Sequence, residues 1–526
     1  MQLSDLSEKT KKTRKTQLEF LRFGFGLLFV VSIMIYTTLG LGLSGERGIM
    51  LVVASMIAGY MAMNIGANDV ANNVGPAVGS RSITMAGAIL IAAIFEVAGA
   101  LIGGGDVVAT IRGDIIDPAA VPSVDHFIWM MTASLLAGAL WLNLATAVGA
   151  PVSTTHSIVG AVLGAGVTAG GFSSANWGMI GGIVSSWVIS PIAGGLIAAG
   201  FLFWIKRAIT YKQDKVSAAR RTVPILIGLM GFAFSTYLIL KGLGKVWSVS
   251  FEMASGVGFV IGLLVWWASR CVVRRIEGTM ENSKQAINAL FTVPLIFAAA
   301  LLSFAHGAND VANAIGPLAA IADSVMQNGL ISEASIPVWV MLIGALGIAI
   351  GLALYGPKLI RTVGGEITDL DQMRAFCIAM SAAVTVIVAS QLGLPVSSTH
   401  IAIGGVLGVG FLREHLKANY SSMVEEIRMH HDGADAKEVA AYLDEFTKAD
   451  VKTKKAMLEQ LKARSASVRL KKKEVKRIKK VYKHELVQRS VVYKIIAAWI
   501  ITVPASAIMA SLIYKAILWL VHADLV

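Results

Sequence analysis

Apolar residues fill this chain in long unbroken runs rather than in stripes of period 3.6 or 2. The run from Phe20 to Leu41 holds a single charged residue, and comparable runs cover Met50 to Met63, Trp129 to Val148, Val223 to Leu240 and Trp499 to Leu520. About 20 apolar residues suffice to cross the hydrocarbon core of a bilayer, so the pattern predicts a series of membrane-crossing helices. Two polar stretches interrupt it: "GANDVANNVGPAVGS", Gly66 to Ser80, and "GANDVANAIGPLAA", Gly307 to Ala320. Broken, polar backbone is tolerated at membrane depth only where it is buried in protein or lines a cavity.

The chain repeats itself elsewhere. "APVSTTHSIVGAVLGAGV" from Ala150 matches "LPVSSTHIAIGGVLGVGF" from Leu394, and "TIRGDIID" from Thr110 matches "TVGGEITD" from Thr362. In chain order the three pairs are offset by 241, 252 and 244 residues. Two homologous halves are therefore expected at 49–205 and 285–412. Around them lie a cytoplasmic N-terminus with an extra helix (1–48), a middle section with two helices (206–284), a charged loop (413–489) and a final span (490–526). The predicted fold is an all-α polytopic membrane protein, with about 12–13 transmembrane segments in two inverted-topology repeats with discontinuous helices. That is the architecture of secondary transporters.

Composition supports the class: 55% of residues are hydrophobic, 15% are charged and the mean hydropathy is +0.68. A net charge of +13 raises nucleic acid as a partner, but the basic residues cluster at Lys9–Lys15, Lys206–Arg221, Arg270–Lys284 and Arg413–Arg489, all before or between apolar runs. The positive-inside rule accounts for them. No nucleic-acid partner is expected, and the chain reads as a multi-pass protein of the plasma (inner) membrane with its N-terminus cytoplasmic. Counted from there, the halves insert with opposite polarity. The isolated Cys271 and Cys377 have neither metal-site nor disulfide spacing. "RLKKKEVKRIKK", Arg469 to Lys480, reads as a solvated or lipid-facing basic helix, which raises the hypothesis that it docks on anionic lipid and senses the state of the membrane or the level of the solute.

Asn68, Asp69 and Asn72 recur as Asn309, Asp310 and Asn313. Carboxylate, amide and freed carbonyl oxygens together make a hard-cation ligand set, and an ionisable group at membrane depth is functional by default. A polar helix–helix contact is the bland alternative, and duplication weighs against it. Ser153, Thr154 and Thr155 recur as Ser397, Ser398 and Thr399, each trio following a Pro at the start of a small-residue run, as at a helix N-terminus. Two such N-termini converging would form an oxyanion site without Lys or Arg, although such residues also serve simply as caps. Carboxylates beside a doubly charged anion repel it unless a cation is bound with them, which is the basis of symport. They also accept a hydrogen bond from a protonated oxyanion, favouring phosphate over sulfate. Glu96, alone in an apolar run, joins the coupling candidates, with a simple polar pair as its alternative. His156 and His400 read as structural histidines before proton carriers or metal ligands.

These motifs resemble the inorganic phosphate transporter (PiT) family of sodium- or proton-coupled permeases. The residues carrying the resemblance are "GANDVANNVG", "GANDVANAIG", "GAPVSTTHSIVGAVLG", "GLPVSSTHIAIGGVLG", "IFEVAGAL" and "FCIAMSAAVTVIVASQLGLPVS". The resemblance implies a homodimeric transporter in which the two hydroxyl motifs bind inorganic phosphate and the Asn/Asp motifs hold or couple sodium or a proton. Sodium is expected at Asp69 and Asp310, since the intact "GANDVAN" form is closer to sodium-coupled members. No further cofactor and no enzymatic activity are implied. The chain departs from the family pattern at Ala379, where many members carry Glu, in its extra run at 20–42, and in the insertion 413–489.

Among other classes, an ATP-driven pump lacks its G-x-x-x-x-G-K-[ST] loop. A Ser/His/Asp hydrolase has no use for an inverted second copy. A cation channel would not need the hydroxyl pair. A sulfate permease on the same scaffold is the nearest rival.

Overall fold

The computed structural model describes residues 3–42, 44–147, 152–242, 247, 249–276, 280–326, 336–366, 370–429 and 489–522. Pro151, residues 367–369 of the second "TVGGEITD" copy and the charged loop from 430 to 488, with its basic "RLKKKEVKRIKK" stretch, lie outside them. In chain order the helices are α1 (Leu3–Ile35), α2 (Glu46–Asn68), α3 (Val70–Gly79), α4 (Met85–Gly103), α5 (Gly105–Ala109), α6 (Val124–Ala147), α7 (Thr154–Gly170), α8 (Trp177–Ile205) and α9 (Lys215–Lys241). They continue with α10 (Phe251–Ile276), α11 (Lys284–Ala289), α12 (Thr292–Asp310), α13 (Ala312–Met326), α14 (Val338–Glu366), α15 (Gln372–Gln391), α16 (Ser398–Met429) and α17 (Arg489–His522). Among the described residues extended pairing is limited to one isolated bridge, Ile116 with Ala175. Among the described residues, eleven helical stretches are long and apolar enough to cross a membrane. The helices that start at the hydroxyl motifs, α7 and α16, are additional to these eleven.

Helix starts follow local chemistry. Thr84, Asn176, Asp214 and Asp371 each accept a hydrogen bond from the backbone N–H three residues on, capping α4, α8, α9 and α15. Such caps satisfy N–H groups that have no partner inside the helix. The polar interruptions prove narrower than a broken segment. Helix α2 yields to α3 at Asp69 alone (φ −88°, ψ −34°), whose N–H still reaches the Ile65 carbonyl at 2.9 Å. Helix α12 yields to α13 at Val311. Each break is followed by a proline inside the next helix, Pro76 or Pro317, which cannot donate to the carbonyl one turn back.

The internal two-fold is legible in close helix crossings. A Cβ at Gly66 would overlap the Ile348 carbonyl, and one at Gly307 would overlap the Glu96 carbonyl. Likewise Gly99 meets the Phe304 carbonyl and Gly351 the Met63 carbonyl. Shifting one half by the repeat offsets turns each contact of a pair into the other, so α2/α3 with α4 correspond to α12/α13 with α14, and each half packs on its opposite. The same holds for Gly160 and Gly164 against Val503 and Ala507, and for Gly404 and Gly408 against Pro191 and Gly195. The final helix α17 thereby matches α8. It packs as the fifth element of the second repeat, across the inserted charged loop that separates it in sequence.

The core is built from α2, α3, α6, α7, α12, α13 and α15, while α1, α10 and α17 expose most of their apolar length. Phe20, Leu39, Trp267 and Trp519 all point outward, as residues facing hydrocarbon do. The chain is a multi-pass integral membrane protein.

Candidate functional site

The two breaks and the two hydroxyl helix starts meet at the centre. Ser153 caps α7 by accepting from the His156 N–H at 3.2 Å, and Ser397 accepts from the His400 N–H at 3.3 Å. These two hydroxyls are therefore held first as helix caps, with their own hydrogens still free to turn toward a ligand. The four others face the carboxylates and amides. Thr154 donates to Asp69 Oδ2 at 2.7 Å and Thr399 to Asp69 Oδ1 at 3.1 Å, so one carboxylate joins hydroxyls of both halves. Ser398 donates to Asp310 Oδ2 at 3.2 Å, repeating the Thr154–Asp69 bond in the second half. Asn72 Nδ2 donates to Thr399 Oγ1 (2.8 Å), and Asn313 Nδ2 to Thr155 Oγ1 and Thr154 Oγ1 (3.1 Å each). Thr155 in turn donates to the Val396 carbonyl at 3.0 Å. Every one of these residues is buried.

The two motif asparagines nearest the breaks differ in use. Asn309 donates to Ser390 Oγ and the Leu394 carbonyl and accepts from the Val396 N–H, pinning the chain that leads into Ser397. Its counterpart Asn68 is half-buried at the end of α2.

Glu96, on α4, lies wholly buried beside this network. Its Oε1 accepts from Asn73 Nδ2 at 2.8 Å, and its Oε2 sits 2.7 Å from His306 Nδ1. The other face of that imidazole, Nε2, is 3.1 Å from Asp310 Oδ2. A chain Glu96–His306–Asp310 thus runs from α4 into the site, and one ligand atom each from Asp69, His306 and Asp310 lie within 4.8 Å of one another. Three buried carboxylates against one imidazole leave at least two negative charges if all are ionised. Buried charge of that density needs cations or protons as partners.

His306 is the residue of this buried cluster that the motif comparison overlooked. The available signal was the difference between copies: "NIGAND" in the first, "AHGAND" in the second. By the repeat offsets Ile65 corresponds to His306 and Ile348 to Glu96, so the polar pair in one half of the protein is an apolar pair in the other. Glu96 has its structural counterpart on α14, whereas Ala379 lies on α15, so the two stand at different points of the repeat. His156 and His400 form part of a ring column: Trp187, His156, His400 and Trp499 follow one another at centroid spacings of 3.8, 4.4 and 3.5 Å. Ring packing, stacked between His400 and Trp499, edge-on between the two histidines and tilted at Trp187, accounts for them rather than side-chain hydrogen bonding.

A family model described as "Phosphate transporter family" matches residues 65–510. A protein of Helicobacter pylori strain J99 named "Putative phosphate permease" is 52% identical over 98% of this chain and 99% of its own length. One of the same name from Haemophilus influenzae is 38% identical over 69% of this chain and 87% of its own. Among solved structures, "The sodium-dependent phosphate transporter" superposes with a TM-score of 0.72 at 30% identity, covering 89% of this chain and 98% of that one.

Proposed function

The chain belongs to the phosphate transporter family, and from that premise we propose that it is a secondary active symporter that imports inorganic phosphate with sodium by alternating access. The observation that carries the reading is the direct pairing of hydroxyls with carboxylates: Thr154 and Thr399 donate to Asp69, and Ser398 to Asp310. The donors suited to a phosphate oxyanion are engaged by the groups that would repel it. At an effective dielectric constant near 20, two unit charges 4 Å apart interact by about 4 kcal/mol, so an anion entering beside ionised Asp69 and Asp310 is strongly opposed. A sodium ion on those carboxylates, with Asn72 and Asn313 oxygens at hand, reverses that sign and frees the hydroxyls to turn toward phosphate.

Phosphate binding then rests on Thr154, Thr155, Ser398 and Thr399, with Ser153 and Ser397 holding the helix starts whose free N–H groups favour an anion. Asn68 and Asn309 belong to the cation motifs, Asn309 through the loop it pins. Exchange of the site between the two membrane faces follows from rocking of one repeat against the other. By the charge pattern, the N-terminus and the basic loops face the cytoplasm in the plasma membrane. Two such chains form the homodimer that the family resemblance implies.

A second reading, proton coupling, is favoured by the buried row Glu96–His306–Asp310, in which the imidazole is hydrogen-bonded to Glu96 at 2.7 Å and lies 3.1 Å from Asp310. The test is uptake of labelled phosphate into proteoliposomes under an inward sodium gradient and, separately, an inward proton gradient, each with excess unlabelled sulfate. Sodium-driven uptake untouched by sulfate supports the reading. Uptake driven only by protons moves the coupling role to Glu96 and His306, and uptake abolished by sulfate removes phosphate selectivity.

A further inference from the structure

Away from the central site, α8, α16 and α17 enclose an apolar groove of about 630 Å³, within the ~300–1,000 Å³ typical of small-molecule cavities. Its walls are Ile192, Leu196 and Ala199 of α8, Leu407 and Phe411 of α16, and Ile496 of α17. The groove exists because α8 and α16 touch through glycines: Gly195, Gly404 and Gly408 bring the backbones together and leave a trough where side chains would stand. It opens sideways, with Leu196 70% and Ile192 58% exposed.

One end of the trough is basic. Ile192, Ala199 and Lys206 are seven residues apart, so Lys206 continues the groove-lining stripe two turns beyond Ala199. On α16, His415 lines the groove and Arg413 lies between it and Phe411. Lys206 is in electrostatic range of Lys284, Arg374 and Arg413 and of the acidic Asp371, which is paired with Arg374 at 3.0 Å, and Glu414 stands between Arg413 and His415 on α16. Four cations against the two carboxylates Asp371 and Glu414 still leave an excess of positive charge at the mouth of an otherwise hydrocarbon-like trough. These residues fall in the segments that the positive-inside pattern assigns to the cytoplasmic face, whose lipids are the anionic ones.

We propose that this groove binds an anionic phospholipid, its acyl chain lying between α8, α16 and α17 and its phosphate head group against Lys206, Arg374 and Arg413. Ordinary lipid-facing surface is convex and uncharged and would select no head group, whereas a trough ending in excess positive charge does. The site is independent of the transported ion, and because α8 and α17 are the matching fifth elements of the two repeats, the lipid sits where the repeats meet.

The test is native mass spectrometry of the full-length protein after stepwise delipidation, with phosphatidylglycerol and phosphatidylcholine added in competition. The wild type is expected to retain phosphatidylglycerol selectively. At about fivefold per basic residue near an anionic head group, Lys206→Gln combined with Arg413→Gln is expected to cut that selectivity by more than tenfold. Leu196→Trp, which fills the trough, is expected to remove retention of both lipids. If that variant fails to fold, the wild type and the charge variant decide. Equal retention of the two lipids by the wild type, or selectivity that survives the charge variant, would overturn the proposal. So would displacement of the lipid by millimolar inorganic phosphate, which would make the basic mouth a free-anion site. A Leu196→Cys protein in a Cys271→Ser background that forms a disulfide-linked dimer would identify the groove as a protein interface and equally overturn it.

Discussion

Replacing Glu96 and His306 together by isoleucine copies into one half of the protein what the other half already has at Ile348 and Ile65. The native pair is wholly buried, with Glu96 Oε2 2.7 Å from His306 Nδ1. Removing one partner of such a pair strands the other, at a cost of about 3–5 kcal/mol, so Glu96→Ile and His306→Ile should each destabilise by that amount. Replacing both removes the stranded charge, and apolar replacement of a buried pair is often close to neutral. What remains is Asn73, whose Nδ2 loses its acceptor at 2.8 Å, a loss of about 1–3 kcal/mol, and the buried Asp310, which keeps the Ser398 hydroxyl but loses the imidazole 3.1 Å away in the double variant and in His306→Ile alike. The double variant should therefore melt closer to wild type than either single, while phosphate uptake is lost because Asp310 no longer has an imidazole beside it. Thermal unfolding of the four proteins in detergent, with uptake into liposomes in parallel, measures both. If the double variant loses the sum of the two single losses, the two side chains act independently and the pairing argument is refuted.

Other expectations follow from single contacts. Gly307→Ala should fail to yield folded protein because its Cβ meets the Glu96 carbonyl, whereas Gly105→Ala, with open space around it, should be silent; size-exclusion profiles distinguish them. Thr399→Val removes a donor to Asp69 and an acceptor for Asn72, and should weaken phosphate affinity roughly ten- to hundredfold, the value of a hydrogen bond to a charged group. Ser397→Ala, which removes a cap, should instead lower stability by about 0.5–2 kcal/mol with a smaller change in affinity, as melting and binding measured together would show. Arg112→Gln leaves Asp323 buried without the guanidinium 2.5 Å away and should cost about 3–5 kcal/mol of stability; a melting temperature equal to wild type would contradict it.

Much of this site is legible in the sequence because duplication labels it. Polar residues that recur in order at nearly equal offsets in an apolar chain have few structural reasons to do so, and Asp69, Asp310 and the hydroxyl pairs converge at the centre. Symmetry, however, hides what it does not repeat. His306 escaped notice because its partner position holds Ile65, and the meaning of Glu96 depends on that histidine. The final helix α17 was separated from the second repeat because the charged insertion displaces it and its match to α8 lies in packing glycines on α7 and α16, not in shared motifs. Composition also overstated the break in "GAND". Asn and Gly are weak helix formers, but burial on all sides holds them helical up to a single residue, Asp69 in one half and Val311 in the other.

The central claim is that the carboxylates admit phosphate only in company with a cation. Equilibrium binding of phosphate to the purified protein, titrated with sodium at constant ionic strength using choline as the replacement, addresses it without a membrane gradient. Binding that tightens at least tenfold as sodium rises, and loses that dependence in Asp69→Asn, is the predicted result. Phosphate affinity that is the same with and without sodium in the wild type would contradict the account.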